Sequence, residues 1–349
     1  MVNNDKPVRV VVVGCGGMAR KWIDVTIHAP HLELVGLVDM QREAAEQKAR
    51  DFKLPDSVVY DTLAEAVKAT DAEAVFDVTI PAAHHAVTLE ALKLGCHVLG
   101  EKPMSDSLDH ARQMVAAAKQ AGRHYAVTQT RRPLSRVLSV CELLRSGAIG
   151  TVEELHSDFY LGPHFGGFRD AMDDVLLVDM AIHTFDNARQ IGAADPVSVY
   201  CHAFNPPHSW YQGDASAIAI FEMRGPAGEP IVYNYRGSWC AEGLPTSWEG
   251  AWRVIASQGT LCWDGGDNIR AQAVKPDGDH GFFREMANVD VPHLTLEREG
   301  HDHLIHEFGH CVRNGQSPMC PAEDNIKSLA MVLAAVKSTR SGQREKVEW

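Results

Sequence analysis

The chain has no long apolar run, no excess of positive charge and no paired-cysteine motif. No stretch is long and apolar enough to cross a bilayer. The formal net charge of −13 at pH 7 argues against a nucleic-acid or anionic-membrane partner, because either would need a positive face. The eight cysteines are scattered, which favours reduced thiols and a cytoplasmic protein. Residues 1–7 are polar and lead directly into the first predicted strand, so we expect no secretory signal.

The chain does have the length and composition of a globular protein with two domains. Its 349 residues are 45% hydrophobic and 23% charged. Strand and helix patterns alternate through residues 1–130, which predicts a parallel, doubly wound α/β sheet. Residues 131–349 contain strands in succession with few helices between them, which predicts an α+β domain with an open, mainly antiparallel sheet. One face of that sheet would be free to meet a partner subunit.

One stretch is organised as a strand, a tight turn and a helix. An apolar β-branched run leads directly into Gly14, Gly16 and Ala19, which match the G-x-G-x-x-A pattern. In that pattern the first glycine allows the turn, the second lets a pyrophosphate approach the backbone, and the third small residue lets helix and strand pack closely. A second apolar run ends in Asp39, where an acid would bind the adenosine ribose hydroxyls. The combination predicts a dinucleotide site and favours NAD, although Arg42 nearby leaves NADP open.

Residues that follow the other predicted strands complete the expected cofactor site. Ligands on a parallel sheet bind at the carboxyl ends of its strands. Lys102 follows one such strand within Glu101-Lys102-Pro103, and its bond to the proline is a candidate for the cis form. A surface turn is the alternative interpretation of that tripeptide. The predicted cofactor-binding residues are Gly14, Gly16, Gly17, Met18, Ala19, Asp39, Arg42, Thr79, Pro81, His85, Glu101, Lys102 and Gln129.

A buried helix is predicted over residues 173–186, within the strand-rich part of the chain. Asp179 and His183 are four residues apart and would therefore lie on one helical face, with Asp186 on the same side. Apolar residues on the other faces would hold this row rigid. A structural Asp–His pair is one interpretation. The other is that His183 is a general base, with Asp179 orienting it or binding the substrate.

Together, these motifs resemble the Gfo/Idh/MocA oxidoreductases. The resemblance rests on the glycine turn, on Glu101-Lys102-Pro103 and on Asp179-x-x-x-His183, and it covers nearly the whole chain. It implies a Rossmann domain, a C-terminal domain whose open sheet forms homodimers or homotetramers, NAD(P), and a sugar or polyol substrate. It also implies catalysis by Lys102, Asp179 and His183. In many members the stretch before the catalytic aspartate is glycine-rich, whereas residues 173–177 of this chain are not. The substrate of any one member is therefore not assigned to this chain.

The resemblance predicts hydride transfer between a secondary alcohol and nicotinamide. His183 would take the hydroxyl proton, Lys102 would hydrogen-bond the same oxygen, and Asp179 would hold the substrate hydroxyl or the imidazole. Reduction of a keto-sugar would use the same three groups. Redox-neutral cleavage of a glycoside by transient sugar oxidation is an alternative. A non-catalytic NAD(P) sensor is another, but a sensor would be expected to lose the lysine or the histidine.

Several further side chains are candidates for a substrate pocket or a metal site. The predicted substrate-binding residues are Lys102, His164, Arg169, Asp179 and His183, with Asp170 beside them in the same loop as Arg169. Three tryptophans at positions 239, 248 and 252 would stack on a sugar ring or pack in the core, and core packing is favoured. Four histidines have metal-ligand spacings on one helix, but no cysteine or carboxylate completes a set, so no metal is predicted: His301, His303, His306 and His310.

Overall fold

The structure is a computed structural model, and it describes residues 6–279 and 281–349. The described strands are β1 Val8–Val13, β2 Leu32–Val38, β3 Val59–Tyr60, β4 Ala74–Asp77, β5 His97–Gly100, β6 Tyr125–Val127, β7 Val152–Tyr160, β8 Asp195–Phe204, β9 Ser216–Arg224, β10 Pro230–Ser238, β11 Ala251–Ala256, β12 Gly259–Trp263, β13 Ile269–Val274, β14 Met286–Val289 and β15 Glu345–Lys346. The described α-helices are α1 Ala19–His28, α2 Arg42–Asp51, α3 Leu63–Thr70, α4 Pro81–Lys93, α5 Leu108–Ala121, α6 Ser135–Arg145, α7 Ile182–Gly192, α8 Gly300–Asn314 and α9 Ala322–Ser341.

The first compact unit comprises the chain up to Thr130 together with Arg298–Ile326. Its six-stranded sheet has the order β3-β2-β1-β4-β5-β6, and every pair of neighbours is parallel. β1 lies inside this sheet and its valines are buried on both faces, which explains the continuous apolar run in the sequence. The predicted doubly wound parallel sheet is confirmed. The strand order reverses between β1 and β4, and ligands bind at such a switch point.

Helix α8 folds with this first unit, although the sequence analysis placed all of residues 131–349 in the second domain. Ile305 and Phe308 are buried in the same apolar cluster as Trp22 and Phe76, and the two phenyl rings are 6.2 Å apart. The amphipathic pattern of α8 shows that the helix buries one face. It does not show which sheet covers that face.

The second compact unit comprises Arg131–Glu297 and Lys327–Trp349. Its nine-stranded sheet has the order β14-β13-β12-β11-β7-β10-β9-β8-β15. All neighbours are antiparallel except β7 and β10, which run parallel. The two edges of this sheet are β14 and the two-residue β15. Two-residue edge pairing is too short to be located from a side-chain pattern.

The described helices of the second unit pack on one face of this sheet. Phe185 of α7 packs against Phe221 of β9 with ring centroids 4.8 Å apart, and Ser338 of α9 accepts a hydrogen bond from the backbone N–H of Cys201. Residues on the opposite face alternate with these along β8, β9 and β10 and are exposed. None of the described helices has the length and apolar character that a membrane span requires.

Candidate active site

The glycine turn after β1 has the geometry of a phosphate cradle. Gly14 has a φ of +92°, and a Cβ there would lie 2.7 Å from the carbonyl carbon of Val78, so only glycine fits. At Gly16 and Gly17 a Cβ would meet no described atom within 4 Å, which leaves the backbone open to a ligand. Within the described chain, α1 has neither a side-chain cap nor an acidic residue in its first turn. No described side chain therefore competes with a pyrophosphate for the N-terminus of this helix.

Asp39 closes the opposite side of this turn. Its Oδ2 accepts a hydrogen bond from the Cys15 N–H at 2.7 Å, and its Oδ1 accepts one from the Gln41 N–H at 2.8 Å. The carboxylate is thus held beside the glycines, as its predicted role on the ribose requires. Arg42 hydrogen-bonds Glu46 and Asp61 instead. Its charge is already matched by two carboxylates, so it gives little support to a 2′-phosphate and the balance favours NAD.

The turn after β4 is organised by Asp77, which the sequence analysis missed. This fully buried carboxylate accepts hydrogen bonds from the Thr79 hydroxyl at 2.5 Å and from the Thr79 N–H at 3.2 Å. Its Oδ1 also lies 3.0 Å from Nδ1 of His84. Pro81 then begins α4. The sequence does contain an indication of this role, because a carboxylate at the end of a buried strand needs several hydrogen-bond donors.

His85 and Gln129 were predicted to bind the cofactor, and their surroundings differ. The His85 ring stacks on His110 at 4.0 Å, and its Nε2 lies 2.8 Å from Oε1 of Gln113. Gln129 follows β6 and is only 1% exposed, yet neither atom of its carboxamide has a hydrogen-bond partner among the described residues. An orphaned buried amide at the carboxyl end of a parallel sheet fits a polar ligand such as a dinucleotide.

Glu101 fixes the turn that carries Lys102. Its Oε1 accepts a hydrogen bond from the Trp22 indole at 2.8 Å and also lies 2.9 Å from Nε2 of His301. Its Oε2 accepts a hydrogen bond from the Thr128 hydroxyl at 3.3 Å. Burial alone would raise the pKa of Glu101, but the His301 and Trp22 hydrogen bonds and the Lys102 charge outweigh it and lower that pKa. The carboxylate therefore stays charged beside Lys102. The bond from Lys102 to Pro103, a candidate for the cis form in the sequence, is cis.

In the second unit, the predicted helix around Asp179 and His183 is present but contains a π-helical segment. Leu176–Ala181 is π-helical and continues directly into α7 at Ile182. Asp179 and His183 are 7% and 8% exposed. The Nε of Arg169 donates to Oδ2 of Asp179 at 2.7 Å. A π-helical turn is wider than an α-helical one, so residues four apart are not placed on one face as they would be in a regular α-helix. Such turns are frequent at functional sites.

Asp186, which the sequence placed on the same side as Asp179 and His183, has a structural environment. Arg132 donates to both of its carboxylate oxygens at 2.7 Å, and the Ser328 hydroxyl donates to Oδ1 at 2.6 Å. All three side chains are buried. The donors come from two separate parts of the second unit, so this carboxylate joins the start of the unit to α7 and α9.

The remaining candidates are a histidine and three tryptophans of the second unit. His164 stacks on Trp210 at 3.7 Å, and its Nε2 lies 3.0 Å from Oε1 of Glu242. Trp239 and Trp252 are buried, which confirms the favoured core interpretation for these two residues. Trp248 is half-exposed and packs edge-on against Trp239.

The four histidines of α8 do not form a metal centre with their described neighbours. His301 contacts Glu101, while His310 stacks on His31 at 4.0 Å. No group of three or more histidine, cysteine, aspartate or glutamate side chains among the described residues is arranged to hold a metal ion.

Comparison with known families identifies both halves of the chain. Residues 8–129 match the family described as "Oxidoreductase family, NAD-binding Rossmann fold", and residues 137–262 match the "GFO/IDH/MocA C-terminal domain". The chain belongs to the GFO/IDH/MocA family. The resemblance seen in the sequence is confirmed, and with it NAD as the cofactor and oxidoreductase chemistry on CH–OH groups.

GFO/IDH/MocA relatives cover nearly the whole chain. It is 25% identical over 344 residues to 1,5-anhydro-D-fructose reductase from Ensifer adhaerens, covering 97% of this chain and 98% of that enzyme. It is 24% identical over 355 residues to D-apiose dehydrogenase from Paraburkholderia graminis, covering 97% and 89%. Its fold is similar to that of an oxidoreductase from Agrobacterium radiobacter in complex with NAD+, L-tartaric acid and magnesium, with a TM-score of 0.83, 19% identity and coverage of 98% and 99%.

Proposed function

We propose that this GFO/IDH/MocA protein transfers hydride between NAD and a secondary alcohol of a sugar or polyol, or the matching keto-sugar. The observation that carries the proposal is that Asp179 and His183 are both largely buried on one continuous helical segment. Arg169 orients the Asp179 carboxylate, and a largely buried imidazole close to it along the helix is a candidate for proton transfer. The two relatives named above, one a reductase of an anhydro-sugar and one a dehydrogenase of a pentose by their names, support a sugar-type substrate.

The proposed roles follow from the chemistry of each side chain. His183 takes the proton of the reacting hydroxyl, because imidazole is the side chain best suited to general-base catalysis near neutral pH. Lys102 hydrogen-bonds the same oxygen and stabilises the negative charge that develops on it. Asp179 holds a substrate hydroxyl or the imidazole. A bound nicotinamide would supply the hydride acceptor for the oxidation, as NAD, and the hydride donor for the reduction, as NADH.

Cofactor binding is assigned to the first unit by its own geometry. The open backbone at Gly16 and Gly17 would hold the pyrophosphate, and Asp39 would hold the adenosine ribose. Gln129 offers an unused carboxamide to the polar end of the dinucleotide. Glu101 keeps the Lys102 turn in place through its contacts with α1 and α8.

Absorbance at the reduced-nicotinamide band tests this function. Purified protein is mixed with NAD and a panel of sugars, inositols and glycosides, and in reverse with NADH and keto-sugars. Formation or consumption of NADH with at least one compound is the expected result. Consumption of a glycoside without net NADH would instead establish redox-neutral cleavage, and bound NAD with no turnover of any compound would contradict the proposal in favour of a sensor.

We also propose that the open face of the second sheet joins subunits into a dimer or tetramer. Ile218, Ile220 and Val232 are exposed on this face, and Tyr200, Ile220 and Asn234 lie side by side across three strands. Contiguous apolar side chains on a sheet face are typical of protein–protein contacts.

Ile220→Asp should therefore reduce the mass measured by light scattering to that of a smaller species. Lys346→Asp, on the edge strand, is the control, and an unchanged mass in both variants would contradict the proposal.

A further inference from the structure

Arg169 is held in a fixed orientation beside the proposed catalytic carboxylate. Its Nε donates to Oδ2 of Asp179 at 2.7 Å, and its guanidinium carbon lies 5.2 Å and 4.7 Å from the ring centroids of Phe165 and Phe168. Contacts of this kind with aromatic faces attract a cation and orient its plane. Arg169 therefore cannot swing freely as an ordinary surface arginine does.

The loop backbone explains how two phenylalanines reach one guanidinium. Gly166 and Gly167 separate them and have φ values of +68° and +74°, a left-handed conformation that other residues adopt at a cost. The following residues form a short 3-10 helix, and the Asp170 carbonyl accepts a hydrogen bond from the Gln212 N–H at 2.8 Å. The loop is thus anchored directly after Arg169.

Most of the hydrogen-bonding capacity of Arg169 is unused. A guanidinium carries five N–H donors, and here the Nε–H alone has a partner among the described residues. The side chain is 30% exposed, so its Nη edge is open to a ligand. Asp170 is the next residue, but its Oδ1 has no hydrogen-bond partner among the described residues, so this oxygen does not bind the Arg169 edge.

Two exposed rings border the same edge. Phe165 is 55% exposed and Phe168 is 68% exposed, although phenyl rings are normally buried in a folded core. Their exposure gives an apolar border on which the carbon–hydrogen face of a small ligand can pack. An oriented guanidinium fork bordered by aromatic rings is the arrangement that binds a carboxylate or phosphate through two parallel hydrogen bonds.

We propose that the free Nη edge of Arg169 binds an oxyanion carried by the substrate, so that the substrate is an acidic sugar or polyol. This inference rests on the proposed function. It places the acidic group next to Asp179, and the ion pair between Arg169 and Asp179 lets one guanidinium orient the catalytic carboxylate and the substrate together. A carboxylate and a phosphate share this chemistry.

Matched pairs of compounds test the inference. Turnover with NAD is compared for glucuronate against glucose, galacturonate against galactose, gluconate against glucitol, and glucose 6-phosphate against glucose. At least one acidic member should have a kcat/KM roughly tenfold to a hundredfold above that of its neutral partner, as expected for charge-assisted hydrogen bonds. The pair that shows the preference identifies the oxyanion as a carboxylate or a phosphate.

Variants of Arg169 are compared by one quantity, the kcat/KM for the acidic compound divided by that for its neutral partner. Arg169→Met should abolish the preference, and Arg169→Lys should retain only a small part of it, since lysine lacks the planar fork. A loss of Asp179 positioning would lower both rates and leave their ratio unchanged. Arg145→Met on α6 removes an exposed arginine that pairs with Glu142, and it should leave the ratio as in the wild type.

Two results would overturn the inference: a preference for the neutral member in every pair, or an acidic preference that Arg169→Met leaves intact. Either one leaves the proposed hydride transfer standing if NADH is formed. If no compound is turned over, saturation-transfer NMR with the NAD-loaded protein measures binding of the same pairs. Equal binding of acidic and neutral members would then also count against the role of Arg169.

Discussion

Single residues of the glycine turn are under unequal constraints. At Gly14 a Cβ would lie 2.7 Å from backbone atoms of Val78, and the φ of +92° disfavours any other residue. At Gly17 a Cβ would enter open space. The difference separates a glycine that the fold requires from one that borders the cofactor.

Gly14→Ala should therefore lower the free energy of unfolding of the first unit by at least about 2 kcal/mol, through backbone strain and overlap with Val78. NAD affinity should fall with it. Urea unfolding and calorimetric titration with NAD measure the two effects. Gly17→Ala is the matched control and should unfold within about 1 kcal/mol of the wild type. Equal stability of the two alanine variants would show that the turn tolerates a side chain at Gly14.

At the scale of elements, a buried ion pair joins α7 to distant parts of the second unit. Asp186 receives two hydrogen bonds from Arg132 and one from Ser328, and all of these groups are buried. Removing one partner of a buried pair leaves the other charge uncompensated. The helix that carries His183 is therefore held by a network that is separate from the proposed chemistry.

Asp186→Asn should lower the free energy of unfolding of the second unit by about 3 kcal/mol, because the buried guanidinium of Arg132 loses its counter-charge. Chemical denaturation followed by tryptophan fluorescence measures the change. Asp267→Asn is the control: this aspartate pairs with Arg136 at the surface and should change stability by less than about 0.5 kcal/mol. A loss of similar size in both variants would mean that the buried network contributes no more than a surface pair.

The sequence predicted those elements whose signal is local. The order of β1, a tight turn and α1 followed from the apolar run and the glycine pattern. The site residues at strand ends, such as Asp39 and Lys102, followed from the rule for parallel sheets. The parallel pairing of β7 with β10 and the packing of α8 on the first unit depend on contacts distant in sequence, for which no periodic pattern exists.

The same reason explains which site residues were missed. His301 was considered only as a metal ligand, whereas it contacts Glu101, 200 positions earlier in the chain. The π-helical turn before α7 has no side-chain signature in the sequence, so the spacing of Asp179 and His183 was interpreted as ordinary α-helix. Arg169 was assigned to the substrate pocket, but its ion pair with Asp179 depends on the loop conformation at Gly166 and Gly167.

At the scale of the whole molecule, stability should depend on pH through two half-buried histidines. Burial and neighbouring positive groups lower the pKa of His97 to about 4, and burial with His310 lowers that of His31 to about 4. The unfolded chain binds these protons near pH 6.5, so it gains protons on acidification before the folded protein does. Stability is therefore complete above pH 6.5 and is lost progressively as the pH falls from 6.5 towards 4.

The thermal unfolding midpoint of the protein should accordingly decrease between pH 7 and pH 5, with a loss of up to about 1 kcal/mol per pH unit from this source. His97→Asn removes one of the groups and should flatten the dependence. His28→Asn on α1, where the ring is exposed, should keep the slope of the wild type. A slope that His97→Asn does not change would mean that other groups control stability in this range.

The central claim is that Lys102 acts on the reacting oxygen in an NAD-dependent hydride transfer. The measurement that tests it most directly is steady-state turnover of Lys102→Ala on the compound that the NADH assay identifies, together with its affinity for NAD. We expect turnover to fall by about 10²- to 10⁴-fold while NAD affinity stays within about threefold. Lys93→Ala, at the exposed end of α4, should turn over as the wild type does. Near-normal turnover by Lys102→Ala would contradict the account.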